Sequence, residues 1–332
     1  MKRWASRVER WRADPARGSL VVAALALAAT FLNPGIALDR PRYDEVVVID
    51  ITQSMNVPDY SVDGRAVTRL EFVKSALRAA LDDLPCGSKL GWGLFTEART
   101  YLLYTPVEVC ANRAELRATL AGIGSRMAWA GNSEIAKGLH SGWLAMQQLP
   151  DHPALVFVTD GQESPPLANA NRPHYDDKPG EIGGLIVGVG DPKPSPIPKT
   201  DPAGHDLGFW GPRDVAQTDP RNQGRGGSVG AEAMAGNTAI NDNGIGATPG
   251  SEHLSGLREP YLRLLAADRG FAFLRLRAPA ELSAALRAPA LARAMTVRTD
   301  ARVWLGLLAL AALLAPYAGR ISARINARIN AR

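Results

Sequence analysis

Residues 45–55 read EVVVIDITQSM, and this stretch decides the fold. Val46 to Ile49 form an unbroken β-branched run, the pattern of a strand buried on both faces. The run ends in Asp50, and hydroxyls follow at Thr52 and Ser54. Ala154–Thr159 (ALVFVT) is a second fully apolar strand, followed by Asp160 and Gly161; Ile182–Val189 (IGGLIVGV) is a third. Between these runs the period changes. Arg69–Leu84 reads as a helix with Leu70, Val73, Leu77 and Leu81 on one face, and Ser133–Leu149 as another with Ile135, Leu139, Trp143 and Met146 on one stripe. Arg113–Ile123 reads as a short helix, and Lys89–Thr96 and Thr100–Val107 read as strands. Glu259–Asp268 and Ala280–Ala288 read as helices around a strand at Phe271–Arg277. Strands alternating with helices predict an α/β fold, a doubly wound and mostly parallel sheet of Rossmann-like type. In such sheets ligands bind outside the carboxyl ends of the strands.

Residues 191–255 interrupt the pattern with Pro, Gly, Asn and Asp and no sustained period. They read as an insertion in a domain spanning 40–290. Because they follow the third strand, they are expected to flank the sheet edge that carries the chemistry and to shape partner choice.

Composition places the chain among globular proteins, with 46% apolar and 21% charged residues. The formal net charge of +5 is concentrated at the ends: residues 1–18 carry a local +4, residues 320–332 another +4, and the middle is −3. A folded middle that is net acidic, with 28 basic against 31 acidic residues, argues against a nucleic-acid binder. Each basic end adjoins an apolar run, Leu20 to Leu38 and Val303 to Ala318. These predict one transmembrane helix at each end, over 19–38 and 303–318. Basic segments at 1–18 and 319–332 would then lie on the cytoplasmic side and the domain on the periplasmic side of a bacterial inner membrane. The first run also fits a cleaved signal peptide, with Gly35 and Ala37 as a small-x-small site. The second also fits a buried core helix. The tail repeats every four residues at Ile321, Ile325 and Ile329, which fits a basic amphipathic helix or a tail that only enforces topology. Cys86 and Cys110 form a disulfide if exported, or are two buried thiols.

Asp50 and Asp160 both end buried strands, and two carboxylates at one sheet edge repel unless a cation neutralises them. A hard cation such as Mg²⁺ takes oxygen ligands, and neutral hydroxyls would leave it able to accept an outside carboxylate. The ligands expected on this ground are Asp50, Thr52, Ser54 and Asp160. Ser133 stands where a helix N-cap would, and Glu163 reads as a solvated loop acid outside the set.

Asp50-x-Thr52-x-Ser54, then a hydroxyl opening a helix, then Thr159-Asp160-Gly161, resembles the metal-ion-dependent adhesion site of von Willebrand factor A (vWA) domains. The resemblance covers about residues 44–290. It departs from the usual motifs at Thr52, where Ser is common, and at Ser133, where Thr is common; both swaps keep the oxygen. It implies Mg²⁺, or Mn²⁺ or Ca²⁺, held by Thr52, Ser54 and Ser133 directly or through water, and by Asp50 and Asp160 partly through water. It also implies a partner protein that supplies an Asp or Glu to the metal. The string DITQSMNVPDY (residues 50–60) and the Pro196-Ile197-Pro198 segment resemble the MxaL-type proteins of bacterial methanol-oxidation clusters. That group is implicated in maturing a periplasmic quinoprotein alcohol dehydrogenase, including insertion of its metal. A more distant likeness is to BatA-type membrane vWA proteins linked to MoxR-family ATPases, which would make other membrane vWA proteins the partners.

An enzyme is not expected. Phosphohydrolase chemistry at Asp50 needs an acid two residues on, where Thr52 stands; no Gly-rich phosphate loop with Lys and no HExxH pattern is present. His140 reads as a packed or surface residue.

Overall fold

The chain is described by a computed structural model covering residues 15–32, 35–176, 178–201, 203–222 and 250–329. The basic stretch of residues 1–14, residues 223–249 of the expected insertion, and the last residues 330–332 lie outside the described residues.

The elements run in order α1 (Pro15–Thr30), β1 (Gly35–Asp50), β2 (Tyr60–Val62), β3 (Arg65–Val67), α2 (Arg69–Asp83), β4 (Lys89–Thr96), β5 (Arg99–Leu102), β6 (Val107–Glu108), α3 (Arg113–Gly122), α4 (Ile135–Gln148), β7 (Ala154–Thr159) and β8 (Gly184–Gly188). Then come β9 (Ser195–Pro196), β10 (Pro198–Thr200), β11 (Asp206–Phe209), β12 (Leu254–Ser255), α5 (Glu259–Arg269), β13 (Ala272–Arg275), α6 (Pro279–Leu286), β14 (Ala292–Asp300) and α7 (Arg302–Ile329).

The main sheet has the order β13-β8-β7-β1-β4-β5. β1 pairs in parallel with β4 and β7, β7 with β8, and β8 with β13, while β5 and β6 pair antiparallel to β4. Helices cover both faces. Val47 and Ile49 point into one core with Leu70, Val73 and Leu77 of α2, Leu116 of α3 and Leu282 of α6. Val46 and Val48 point into the other with Ile135, Leu139 and Trp143 of α4 and Leu262 of α5. The stripes expected on α2 and α4 are therefore both buried, on opposite faces of a mixed α/β sheet.

Local chemistry fixes several boundaries. Thr68 caps α2, its Oγ1 accepting the Glu71 N–H at 3.1 Å. Gly270, at φ 70°, ends α5 in the left-handed conformation that glycine adopts without cost. The expected strand Thr100–Val107 is split into β5 and β6; Pro106 between them lacks the N–H that a continuous ladder needs. Residues 191–222, expected to be irregular, hold a β10–β11 hairpin and the strand β9, which pairs with β12. Strands of two to four residues are too short to leave a period in the sequence. Cys86 and Cys110 are joined in a disulfide. Closing a loop over a separation of 24 residues contributes about 3 kcal/mol in the chain-entropy account.

The chain divides into two units, Arg42–Arg293 and a second made of residues 1–41 and 294–332. In the second, α1 packs on α7 through small residues: Ala23, Ala26 and Ala309 are buried, with Ala312 against them. The large apolar side chains point outward; Leu25 is 65% exposed, Phe31 90% and Trp304 67%.

The expectation of transmembrane helices at 19–38 and 303–318 needs correction. Among the described residues no helix is long and apolar enough to cross a membrane. The first run forms only the 16 residues of α1, about 24 Å long against a hydrocarbon core of about 30 Å. Gly35–Leu38, assigned to that span, are instead strand β1. The second apolar run is equally short; α7 reaches 28 residues only by continuing past Pro316 into the basic repeat.

Candidate metal centre

β1 and β7 are neighbours in parallel register, with Ile49 opposite Val158. Asp50 at the end of β1 and Asp160 just past β7 therefore meet at one sheet edge. This is the switch point of the sheet, since β4 flanks β1 on one side and β7 on the other. Both acids are fully buried.

Asp50 is saturated with hydrogen bonds. Its Oδ1 accepts the Thr52 N–H at 2.9 Å and the Thr52 hydroxyl at 2.7 Å, and its Oδ2 accepts the Thr159 hydroxyl at 2.6 Å. Burial, and then the nearby Asp160, push the Asp50 carboxyl up to about 7, although bonds from Thr159 and Thr52 pull the other way. Ser54 sits in the short 3₁₀ turn Gln53–Asn56, its Oγ 3.3 Å from Thr52 Oγ1.

Ser133 arrives from another part of the chain. Its N–H donates to the Ser164 carbonyl and its carbonyl accepts the Ser164 N–H, both at 2.7 Å, and it bridges to Glu97 just past β4. Its hydroxyl is buried and has no hydrogen-bond partner among the described residues. A cavity of about 380 Å³ opens here, lined by Thr52, Ser54, Ser133 and Gln162, and on the insertion side by Ile197, Trp210, Asp214 and Glu252. Trp210 Nε1 donates to Gln53 Oε1 at 2.6 Å, which ties that wall to the first motif. All five expected residues thus gather at one edge: three hydroxyls on the cavity and two carboxylates behind them.

The expected N-cap role of Ser133 does not hold. α4 begins two residues later, at Ile135, without a side-chain cap from its own N-terminal residue. Glu163 does that work instead, its Oε1 accepting the Ala136 N–H at 3.0 Å and the Tyr261 hydroxyl. Glu163 is 2% exposed, not a solvated loop acid. Burial pushes its carboxyl up to about 7 against the bonds from Tyr261 and Ala136. α4 is seated tightly: a Cβ on Gly138 would come within 2.1 Å of the Phe95 ring.

A raised folded value has a definite sign. Between about 4.5 and 7 the folded protein binds a proton at Glu163 that the unfolded chain has released, so stability falls as pH rises through that window. Glu163→Gln keeps the acceptor oxygen and removes the charge. It is expected to gain about 1–2 kcal/mol at pH 8, part of the linkage being offset by the buried amide N–H groups. The wild-type decline between pH 5 and 7 should flatten accordingly; urea denaturation at several pH values checks both.

Sequence reading also missed Arg69. This fully buried guanidinium donates from Nη1 to Asp160 Oδ2 at 2.6 Å and to Ser255 Oγ at 2.6 Å. Its Nε and Nη2 donate to Asp59 Oδ2 at 2.9 and 2.7 Å. Burial would lower its pKa, but Asp160 and Asp59 outweigh that and raise it, so the group is a fixed cation. The signal was present: Arg69 lies four residues before Val73, on the buried stripe of α2.

No family model matches the chain, and no curated protein matches it. Solved structures do. An aerotolerance-related membrane protein from Bacteroides fragilis is 16% identical, over 74% of this chain and 96% of that one, at a TM-score of 0.47. A von Willebrand factor type A protein from Catenulispora acidiphila is 14% identical, over 75% and 42%, at 0.40. An uncharacterized membrane spanning protein from Vibrio fischeri is 18% identical, over 73% and 94%, at 0.27. At these identities and scores, what those names describe stays with those proteins; this chain has an α/β fold built on a mostly parallel sheet, with its buried acids and hydroxyls at the switch point.

Proposed function

We propose that the chain is a vWA-type protein-binding module whose sheet edge holds a divalent cation and offers it to an acidic side chain of a partner. The observation that carries this reading is the buried Ser133 hydroxyl, which has no hydrogen-bond partner among the described residues and shares a cavity with Thr52 and Ser54 in front of two buried carboxylates. A buried hydroxyl left unpaired costs about 1–3 kcal/mol, which a cation ligated by its oxygen would relieve. Thr52, Ser54 and Ser133 would hold the cation, with Asp50 and Asp160 supplying charge from behind. Oxygen donors of this kind suit Mg²⁺, and Mn²⁺ or Ca²⁺ by the same chemistry. The cation would supply an open coordination position for a carboxylate. Asp214 and Glu252 in the cavity wall are each paired with a cation, Lys199 and Arg258, so an incoming carboxylate would find its positive partner in the bound metal. Among the described residues, the acid beside Asp50 is Asp160, which is engaged by Arg69, and this favours docking over catalysis.

The paired helices α1 and α7 support membrane association. Alanines at the interface and large apolar side chains outside invert the pattern of a water-soluble helix pair and leave an apolar surface suited to contact with a membrane. The Cys86–Cys110 disulfide supports an oxidising compartment for the folded domain, such as the periplasm of a bacterium, at the inner membrane. The partner class follows from the resemblance of residues 50–60: a periplasmic quinoprotein alcohol dehydrogenase under assembly, or other membrane vWA proteins in the BatA-type reading. Capture from a periplasmic extract on immobilised full-length chain tests it. An alcohol dehydrogenase retained with Mg²⁺, and lost with chelator or in Asp50→Asn, is the expected result. Retention that ignores both chelator and the substitution would contradict the reading.

A further inference from the structure

We propose that Arg69 is a resident counter-cation of this site, which lets the fold stand without a metal and holds metal affinity down. The inference rests on the metal-binding reading above. Three carboxylates, from Asp50, Asp59 and Asp160, converge behind the cavity, and two of them contact one guanidinium. Arg69 Nη1 also reaches the Ser54 carbonyl at 3.4 Å, so the fixed charge stands directly behind the loop that carries Thr52 and Ser54.

The surroundings are built around this charge. Gly190, at φ +111°, lies where a Cβ would come within 2.7 Å of Arg69 Nε. The Asp191 N–H donates to Asp59 Oδ2 at 2.9 Å, and Ser255 receives Arg69 through both its hydroxyl and its carbonyl. One end of the insertion is thereby held on the guanidinium directly, through Ser255, and the other through Asp59.

The consequence is electrostatic. With Arg69 in place, Asp59 and Asp160 share one fixed positive charge, so the negative charge an incoming cation meets is smaller than the carboxylates alone would present. A divalent cation entering the cavity is repelled by Arg69 at short range, so its affinity is set lower than the five oxygen ligands alone would give. A module of this kind stays folded when metal is scarce and binds metal best together with an acidic partner, whose carboxylate adds the missing negative charge.

Manganese binding to purified full-length protein in detergent, followed by electron paramagnetic resonance of free Mn²⁺, tests the inference. Arg69→Gln removes the charge and keeps a donor; it should bind Mn²⁺ about ten-fold or more tightly than wild type, since a unit charge close to a divalent ion is removed. Arg69→Lys keeps the charge without the fork and should stay within about three-fold of wild type. If Arg69→Gln folds only when Mn²⁺ is present, that is also the expected direction. Equal or weaker binding by Arg69→Gln, or equal tightening in Arg69→Lys and Arg69→Gln, would overturn the proposal and leave a purely structural arginine. Mn²⁺ binding by none of the proteins, wild type included, would instead overturn the metal reading on which the inference rests.

Discussion

Asp160→Ala should lose about 3 kcal/mol or more of folding stability, well beyond what deleting a loop acid costs. The reason is Arg69. Its Nη1 lies 2.6 Å from Asp160 Oδ2, both side chains are fully buried, and only Asp59 would remain to compensate the guanidinium. The Ser255 hydroxyl would lose its acceptor in the same step. Asp50→Asn should behave oppositely in the absence of metal. The Asp50 carboxyl is pushed up to about 7, first by burial and then by Asp160, so its charged form is what the fold tolerates poorly. A neutral amide there should cost less than about 1 kcal/mol at pH 8. Denaturation of both variants in chelator, followed by circular dichroism, checks the contrast. Equal losses in the two would mean that Arg69 does not discriminate between the acids. Asp160 is accordingly a poor position at which to probe metal binding alone, because its removal disturbs the fold as well as the site.

Much of the fold was legible because long apolar runs and helical stripes are local signals. Val46–Ile49 and Ala154–Thr159 read as strands buried on both faces, and they are the neighbours β1 and β7. The stripes on α2 and α4 predicted the buried faces residue by residue. Asp50, Thr52 and Ser54 were legible for the same reason: they follow a strand end within four residues. What escaped depends on contacts distant along the chain. Arg69 meets Asp160 across 91 positions, and Glu163 meets the α4 N-terminus across 27. Neither partner can be inferred from its own neighbourhood, although an arginine on an apolar stripe was a visible anomaly. The short strands of 191–222 left no period, and the apolar ends were longer as composition than as helix because β1 begins at Gly35.

Metal binding itself should produce the second large effect, and it bears most directly on the account. A cation that ligates Thr52, Ser54 and Ser133 binds only the folded state, because residues 52–54 and 133 are brought together by the sheet. At a concentration about a hundred times its Kd it stabilises by about 2.7 kcal/mol. Ser133→Ala removes a hydroxyl that has no other partner among the described residues. It should therefore leave the metal-free protein as stable as wild type or slightly more so. The decisive measurement is the melting temperature of wild type and Ser133→Ala across a Mg²⁺ titration from chelator to tens of millimolar. The account predicts a saturable rise in wild type that is lost or shifted to much higher Mg²⁺ in Ser133→Ala. A wild-type melting temperature indifferent to Mg²⁺ and Mn²⁺, or an identical rise in Ser133→Ala, would contradict it.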